Sequence, residues 1–524
     1  MAALVLTSKC RMVMRSGVPA PSCLEPFRRE DGSYSFPVCG DIVRRLMAAF
    51  PDLQIDDDLR EELRNEAVRQ REAQALTESD GEDLPYGDLY PYQRVAVSWL
   101  SLVRRGILAD EQGLGKTVMA VTAAREASPA RALIICSNSK RKDWHDHVVR
   151  WIPGASSEIL EGTESERSES ISRWDGYLVC NYKIASIHKG ALEKADLVIV
   201  DEAHKMRNKD TDTFKSIRRV CRRASHVFLL TASPTINMAG DIWTLLNLCD
   251  PKRFSSYWGF VFRFCQVGHT GFGLKVGGIR DEEWDNLNRI ITPYTLKREG
   301  MLDLPDPSRR VVLSPMSGEQ SRLYDELEEL GETEYGGAVV KALTDVSLIT
   351  RQRQIAQSPE LIFPGYDGPS KLDAMEGIIR EREGQVVMLS QFAKIAVLAA
   401  EKLNAAGISA VYYTGGMTNQ GRQDSLDKFR RGEAKVISLT HGVGGEGLDL
   451  VEADRAIFLE LAWHPAGNKH ALRRILRHGQ RSDDVEIILI HVPDSIEDHV
   501  RDIVREKGRV TIEEIMRRRD GREE

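Results

Sequence analysis

Short apolar runs recur along this chain at the spacing of a parallel β-sheet, and each is followed by a polar or helix-like stretch. Strands buried on both faces are apolar throughout, so this rhythm predicts strand–helix–strand units. The runs form two sets, and we therefore predict an α/β fold with two lobes. The predicted strands are residues 106–110, 132–137, 177–181, 197–202 and 227–231 in the first lobe, and 386–389, 410–413, 435–439, 456–459 and 486–491 in the second.

The length of 524 residues exceeds what one hydrophobic core usually supports. Helix-like stretches at 371–383 and 395–405 separate the strands of the second lobe, and an amphipathic stretch at 320–330 precedes it. We predict four parts. They are a small N-terminal accessory module with a charged helix (1–84), lobe 1 (85–298), a helical inter-lobe segment (299–366) and lobe 2 (367–524).

Composition excludes several classes of protein. No stretch approaches the roughly 20 apolar residues of a membrane span, and Lys9, Arg11 and Arg15 interrupt any N-terminal signal peptide. We expect no membrane partner. The eight cysteines form no C-x-x-C pair, which predicts buried free thiols rather than zinc or disulfide sites. The formal charge of -7 argues against a generally basic nucleic-acid binder, but a protein with one basic groove remains compatible with it.

Residues 106–117, GILADEQGLGKT, have the order strand, glycine-bearing turn, helix start. Gly113, Leu114 and Gly115 would turn backbone N–H groups toward the phosphates of a nucleotide at the helix N-terminus. Lys116 would contact the β and γ phosphates, and the Thr117 hydroxyl would hold Mg²⁺. The alternative is a glycine-rich turn that only joins a strand to a helix. Asp110 stands where the generic G-x-x-x-x-G-K-[ST] loop has its first glycine.

The apolar run 197–200 ends in Asp201-Glu-Ala-His204. Carboxylates at the carboxyl end of a strand lie where α/β sheets bind ligands. Asp201 would complete the magnesium shell, and Glu202 would polarise the water that attacks the γ phosphate. His204 would either couple hydrolysis to movement or satisfy a backbone group at the strand end.

Taken together, these residues resemble the Swi/Snf family of DNA-dependent ATPases in the second helicase superfamily. Members of that family typically carry Asp-Glu-x-Gly-Leu-Gly-Lys-Thr, which accounts for Asp110, together with a D-E-A-H box. The resemblance implies two RecA-like parallel-sheet lobes in tandem, ATP and Mg²⁺ as cofactors, and double-stranded DNA, including forked or branched duplex, as partner. It also implies a minimal bacterial or phage member in the cytoplasm, or a nuclear protein if the source is eukaryotic.

Further first-lobe motifs are similar to those of the family. In Leu89-Tyr-Pro-Tyr-Gln93 the resemblance implies that Gln93 reads the adenine and that Tyr92 packs beside it. In Leu229-Leu-Thr-Ala-Ser-Pro-Thr235 it implies that Thr231 and Ser233 couple hydrolysis to DNA movement.

Second-lobe motifs are similar as well. In residues 439–450 the resemblance places Thr440, Gly444 and Gly445 at the DNA, and Gly447 and Asp449 at the nucleotide. Trp463 stands in a Trp-His-Pro-Ala sequence that resembles the family's Trp-Asn-Pro-Ala, although a core tryptophan capped by a turn fits equally well.

Residues 471–480 are similar to the family's arginine-finger helix. Arg474 and Arg477 are three residues apart, which would place both on one helical face. They would reach across the cleft to the γ phosphate. His470 and Arg473 depart from the family's glutamine and aspartate, which puts fine coupling between the lobes in doubt.

The implied function is an ATP-dependent translocase that moves along double-stranded DNA and remodels DNA or protein–DNA complexes. ATP would close the cleft between the lobes, and hydrolysis would reopen it. Two alternatives remain. One is a strand-separating DNA or RNA helicase of D-E-A-H type, and the other is a nucleotide-gated scaffold that binds DNA or polymerase.

Overall fold

The computed structural model describes most of the chain in two compact units, which meet in the sequence between residues 301 and 302. The described residues are 5–6, 11–12, 34–35, 54–55, 57–231, 241–270, 273–298, 300–301, 306–441, 448, 450–463, 465–477 and 479–507. Within these ranges, no helix has both the length and the apolarity that a membrane crossing needs.

Four two-residue strands near the N-terminus form a small sheet in the order β3-β2-β1-β4. They are followed by a charged helix, Asp57–Thr77, at the place where the sequence predicts one. The strands are β1 (Val5–Leu6), β2 (Arg11–Met12), β3 (Tyr34–Ser35) and β4 (Gln54–Ile55).

The first unit contains a seven-stranded sheet whose neighbouring strands all pair in parallel, in the order β13-β5-β10-β9-β6-β8-β7. All five strands predicted in this lobe are confirmed. The strands of this sheet are β5 (Arg105–Leu108), β6 (Arg131–Cys136), β7 (Ser157–Ile159), β8 (Gly176–Asn181), β9 (Leu197–Asp201), β10 (His226–Leu230) and β13 (Thr295–Leu296). A separate antiparallel hairpin consists of β11 (Cys265–Thr270) and β12 (Gly273–Ile279).

Helices connect these strands. They are Pro91–Val103, Lys116–Ala127, Arg141–Trp151, Glu164–Arg173, Tyr182–Ile187, Lys189–Leu192, Asp212–Cys221, Asp241–Cys249, Tyr257–Phe264 and Trp284–Ile291, with short 3-10 turns at Asn138–Lys140, Ala203–Met206, Asp281–Glu283 and Thr292–Tyr294. The predicted free thiols are confirmed for the described cysteines, because Cys136, Cys180, Cys221, Cys249 and Cys265 are all buried and unbonded.

Arg105 begins β5 and ties it to the neighbouring helices at the end of the strand opposite the phosphate loop. Its guanidinium donates to the carbonyls of Cys221 at 3.0 Å and Leu248 at 2.9 Å, and also to those of Ala224 and Cys249. Cys221, Leu248 and Cys249 lie at the ends of helices, where backbone carbonyls have no donor within the helix. The guanidinium supplies these carbonyls with hydrogen-bond donors.

The second unit contains a six-stranded parallel sheet in the order β14-β21-β20-β17-β19-β18. All five strands predicted in this lobe are confirmed. The strands of this sheet are β14 (Ser308–Leu313), β17 (Gln385–Ser390), β18 (Ala410–Tyr413), β19 (Val436–Thr440), β20 (Ala453–Phe458) and β21 (Glu486–His491). A separate antiparallel hairpin consists of β15 (Glu332–Tyr335) and β16 (Ala338–Lys341).

The helices of the second unit are Gly318–Leu330, Asp345–Gln357, Lys371–Arg380, Ala393–Ala405, Asn419–Arg430, Pro465–Leu472 and Ile496–Lys507, with a 3-10 turn at Pro359–Leu361. The segment predicted as helical, residues 299–366, holds the first two of these helices. It also supplies β14 and the hairpin β15–β16, so part of this segment belongs to the second sheet.

Residues of β17 show why this sheet forms. Val386 and Met388 pack into the core on one face, whereas Val387 and Leu389 pack into the core on the other. Successive side chains of a strand point to opposite faces, so a strand covered on both sides must be apolar at every position.

Candidate functional site

Three adjacent strands of the first unit bring the predicted motifs together. The phosphate loop follows β5, Thr231 follows β10, and Asp201 ends β9, and these strands are neighbours in the sheet order β5-β10-β9. All three are parallel, so their carboxyl ends lie at one edge of the sheet, where α/β proteins bind ligands.

The phosphate loop turns sharply between β5 and the helix Lys116–Ala127. Gly113 and Gly115 have φ angles of 94° and 83°, in the left-handed region that glycine adopts at little cost. The ammonium of Lys116 donates to the carbonyl oxygens of Asp110 at 2.7 Å and Glu111 at 3.0 Å. The lysine therefore lies over the loop, at the start of a helix whose N-terminus favours anions.

Gln93 connects this loop to the helix Pro91–Val103. Its side-chain Nε2 donates to the carbonyl of Leu114 at 3.0 Å, and its Oε1 accepts from the backbone N–H of Tyr90 at 3.2 Å. Tyr92 lies in the same turn, with its ring stacked on that of Tyr90 at a centroid distance of 5.7 Å. Of the two residues predicted to contact adenine, Gln93 thus contacts the phosphate loop, and Tyr92 precedes Gln93 in the same helix.

Asp110 is fully buried and forms an ion pair that the sequence did not reveal. Arg298 donates from Nε to Asp110 Oδ1 at 3.1 Å and from a second nitrogen to Oδ2. The sequence gives only an indirect indication of such a partner, because a carboxylate buried at the end of a strand requires a cation or several hydrogen bonds. Sequence alone did not show which of the 72 basic residues supplies it.

Asp201 lies at the end of β9 beside Glu202. Its Oδ2 accepts from the indole Nε1 of Trp144 at 2.9 Å. Burial and the neighbouring Glu202 carboxylate raise the pKa of Asp201, whereas the Trp144 hydrogen bond and the charge of Lys116 act in the opposite direction. A carboxylate that is costly to keep charged in this way is one that a bound cation would stabilise.

Glu202 has a left-handed backbone, with φ 54° and ψ 49°, which costs a non-glycine residue about 1–2 kcal/mol. The Tyr182 hydroxyl donates to the carbonyl of Asp201 and, at 3.3 Å, to that of Glu202, and so helps to hold this conformation. Strained residues of this kind concentrate at functional sites.

His204 contacts side chains of two of the predicted motifs. Its Nδ1 lies 3.2 Å from Glu202 Oε2 and 3.4 Å from the hydroxyl of Thr231, which is fully buried at the end of β10. One imidazole thus bridges the two motifs, one on β9 and one on β10.

In the second unit, Thr440 ends β19 and is buried. Trp463 packs under Arg353, whose guanidinium carbon lies 5.3 Å from the indole centroid. Asn468 forms both side-chain hydrogen bonds with the backbone of Ala462, at 2.8 and 3.1 Å. This cap fixes the turn that carries Trp463.

The prediction that Arg474 and Arg477 share a helical face is wrong. The helix ends at Leu472, and residues 473–477 form turns and bends. The carbonyl of Arg474 accepts from the N–H of Leu450 at 3.0 Å, which diverts it from helical hydrogen bonding. Arg474 is buried, which lowers its pKa to about 9, and Arg477 is half-buried.

Five predicted site residues lie outside the described part of the chain. They are Ser233, Gly444, Gly445, Gly447 and Asp449.

Two family models match consecutive parts of this chain. Residues 92–361 match the family described as "SNF2-related domain", and residues 370–479 match "Helicase conserved C-terminal domain".

Two relatives illustrate the range of the family. The ISWI chromatin-remodeling complex ATPase of Saccharomyces cerevisiae is 24% identical, with 81% of this chain and 40% of the relative covered. A Bacillus subtilis protein named "Putative ATP-dependent helicase/translocase YwqA" is 25% identical, with 83% of this chain and 49% of the relative covered. This chain thus spans less than half the length of each.

Among solved structures, a Sulfolobus solfataricus SWI2/SNF2 ATPase core in complex with dsDNA aligns with a TM-score of 0.40 and 19% identity. The alignment covers 84% of this chain and 96% of that one. The match to the SNF2-related domain alone spans more than half of the 524 residues. The chain belongs to the SNF2-related family.

Proposed function

We propose that this chain hydrolyses ATP and uses the energy to move along double-stranded DNA, remodelling DNA or protein–DNA complexes. One observation carries the proposal. The Lys116 loop, the Asp201–Glu202 pair and Thr231 follow three adjacent parallel strands, and His204 bridges Glu202 and Thr231. The family match and the names of the two relatives support the same activity.

Each first-unit residue then has a role. Lys116 and the backbone of Gly113, Leu114 and Gly115 hold the phosphates, and Tyr92 and Gln93 border the adenine. Glu202 orients and polarises the attacking water. His204 and Thr231, with Ser233, couple the state of the nucleotide to DNA movement.

The donor chemistry of the site fits Mg²⁺. The Thr117 hydroxyl and the Asp201 carboxylate are the hard oxygen ligands that this ion prefers, and burial makes the Asp201 charge costly without a cation. When bound, the ion would neutralise charge on the phosphates. Thr117 and Asp201 orient it.

The second unit contributes to the same reaction. We assign Arg474 and Arg477 to stabilising transition-state charge, and Gly447 and Asp449 to the nucleotide. Thr440, Gly444, Gly445 and Trp463 serve DNA binding and coupling. Residues 85–298 and 367–524 are the motor lobes, with 299–366 between them and 1–84 as an accessory module. The motor acts in the cytoplasm, or in the nucleus of a eukaryote.

Phosphate release measured with duplex DNA tests the ATP site. We expect Lys116→Ala and Glu202→Gln to lower turnover by at least about 100-fold, because each removes a group that acts on the transferring phosphate. DNA binding should remain measurable. Lys142→Ala is the control, since this exposed side chain forms a surface ion pair with Asp146 at 2.8 Å. Unimpaired turnover in either site variant would overturn the assignment.

The nucleic-acid substrate is tested by comparing ATPase stimulation with duplex DNA, forked DNA, single-stranded DNA and RNA. A duplex translocase is stimulated by duplex DNA and does not separate its strands. Stimulation by RNA alone, or strand separation, would instead support the helicase alternative. DNA binding without phosphate release would support the scaffold.

A further inference from the structure

The chain segment that leaves the first unit continues the β13–β5 pairing onto the phosphate loop. Thr295 and Leu296 pair in parallel with Ile107 and Leu108. Beyond the strand, Ala109 N donates to Leu296 O at 2.7 Å and Glu111 N donates to Arg298 O at 3.1 Å. Gly300 N lies 3.4 Å from Glu111 Oε2, one residue before the end of the unit. The loop backbone is therefore fixed along one side by this segment.

Arg298 adds side-chain contacts to this backbone pairing. Its guanidinium forms the two-point ion pair with Asp110, and also donates to the carbonyl of Tyr92. The guanidinium carbon lies 5.7 Å from the centroid of the Tyr92 ring. Both charged side chains are almost inaccessible, at 9% exposed for Arg298 and 0% for Asp110. One side chain thus touches both the phosphate loop and the segment assigned to adenine.

The charge balance explains why this pair is needed. A fully buried carboxylate in the loop would oppose the approach of a triphosphate and would be costly to bury alone. A planar guanidinium matches a carboxylate at two points and stacks on an aromatic ring, which lysine cannot do.

We propose that Arg298 is a positioning residue for the nucleotide. It neutralises Asp110 and locks the phosphate loop, Tyr92 and the segment leading into the second unit in one arrangement. The inference rests on the proposed ATPase function, and it assigns Arg298 no contact with the reacting phosphate.

The test compares Arg298→Met with the wild type in equilibrium binding of a fluorescent ATP analogue and in steady-state ATP hydrolysis. Removing Arg298 leaves the Asp110 charge unpaired beside the phosphates and frees the loop, so we expect the Kd and the KM to rise by about 10- to 100-fold. The kcat at saturating ATP should fall less than the KM rises. Arg105→Met is the matched control, because Arg105 clamps the other end of β5 and should alter stability without altering the Kd.

The double variant Asp110→Asn/Arg298→Met separates positioning from stability. It leaves no buried charge unpaired, so its thermal stability should recover relative to Arg298→Met. Its Kd should recover only in part, because Asp110→Asn removes the charge that opposes the phosphates but neither substituted side chain can rebuild the guanidinium contact with Tyr92. If Arg298→Met alone does not fold, the Kd of this double variant tests the positioning role instead.

The two proposals fail in different ways. A Kd within about twofold of wild type in Arg298→Met, or a Kd that returns fully to the wild-type value in the double variant, would refute the positioning role. If the wild type hydrolyses ATP no faster than Lys116→Ala does, the ATPase function itself is refuted.

Discussion

At the scale of single residues, His441 is the clearest example of burial controlling ionisation. It follows Thr440 at the end of β19 and is 7% exposed. Within the described ranges its two ring nitrogens form no hydrogen bond of ordinary geometry, and the nearby Ser390 backbone raises the pKa of His441 by less than burial lowers it. Burial lowers the pKa of His441 to about 4, and the charges of Arg474 and Arg353 act in the same direction. The folded protein therefore keeps this imidazole neutral in mild acid.

This neutral histidine predicts a loss of stability in acid. Unfolded His441 would bind a proton near pH 6.5, whereas the folded protein binds it only near pH 4. Between these values the unfolded state holds more protons, so stability falls as the pH falls. From pH 7 to pH 5 the loss from this group is about 2 kcal/mol.

Denaturant unfolding at both pH values measures this loss in the wild type and in His441→Leu. The variant should lose about 2 kcal/mol less than the wild type between the two pH values. His499→Leu is the control, since His499 is exposed on the helix Ile496–Lys507. Equal pH dependence in wild type and His441→Leu would contradict the prediction.

At the scale of elements, the phosphate loop depends on glycine at one position for two reasons. Gly115 has a φ of 83°, and a Cβ there would lie 2.5 Å from Nε2 of Gln93. Gln93 is held by its bonds to Leu114 and Tyr90, so it can move only by losing them. A side chain at this position therefore disturbs both the backbone turn and the link to the helix Pro91–Val103.

Gly115→Ala should weaken ATP binding by at least about tenfold. The left-handed backbone costs about 1–2 kcal/mol, and a displaced hydrogen bond costs about 1 kcal/mol more. Gly154→Ala is the control, because Gly154 has a φ of 82° with no atom within 4 Å of the added Cβ. Nucleotide titration should find a normal Kd in Gly154→Ala. A normal Kd in Gly115→Ala would show that the loop tolerates the side chain.

The interior strands could be predicted from the sequence because they are apolar on both faces. The edge strands β7, β13 and β14 could not, although the edge strand β18 was predicted. β14 carries Arg309 and Arg310 and exposes Val311 and Leu313, at 56% and 62%. Strands at a sheet edge are short or charged because one side remains open to solvent, so they lack the apolar run that marks a central strand.

The candidate site divides in a similar way. Lys116, Asp201 and Glu202 lie in contiguous motifs, so their sequence neighbours indicate them. Arg298 contacts Asp110 across 188 residues, and Trp144 contacts Asp201 across 57. Such partners are set by the order of strands in the folded sheet, which no local pattern specifies. The turn that carries Arg474 was missed because its carbonyl bonds to Leu450, 24 residues away, which the local sequence does not indicate.

At the scale of the whole molecule, each unit has its own parallel sheet and its own core. The second unit is further fixed by a buried ion pair between helices Lys371–Arg380 and Ile496–Lys507. Lys371 Nζ lies 2.5 Å from Glu497 Oε1 and 2.6 Å from the carbonyl of Leu459. Lys371 is fully inaccessible and Glu497 is 6% exposed. A change to this pair therefore acts on the second unit.

Two cores predict two unfolding transitions that respond to different changes. A nonhydrolysable ATP analogue at 100 times its Kd should stabilise mainly the first-unit transition, by about 2.7 kcal/mol, because that unit supplies the phosphate loop. Lys371→Met should lower only the second-unit transition, by about 3–5 kcal/mol, because it leaves the Glu497 charge buried. Lys371→Met/Glu497→Gln is the control and should recover part of that loss. Calorimetry of wild type and variants, with and without the analogue, measures both transitions. A single transition that shifts with both the analogue and Lys371→Met would show instead that the two units unfold as one.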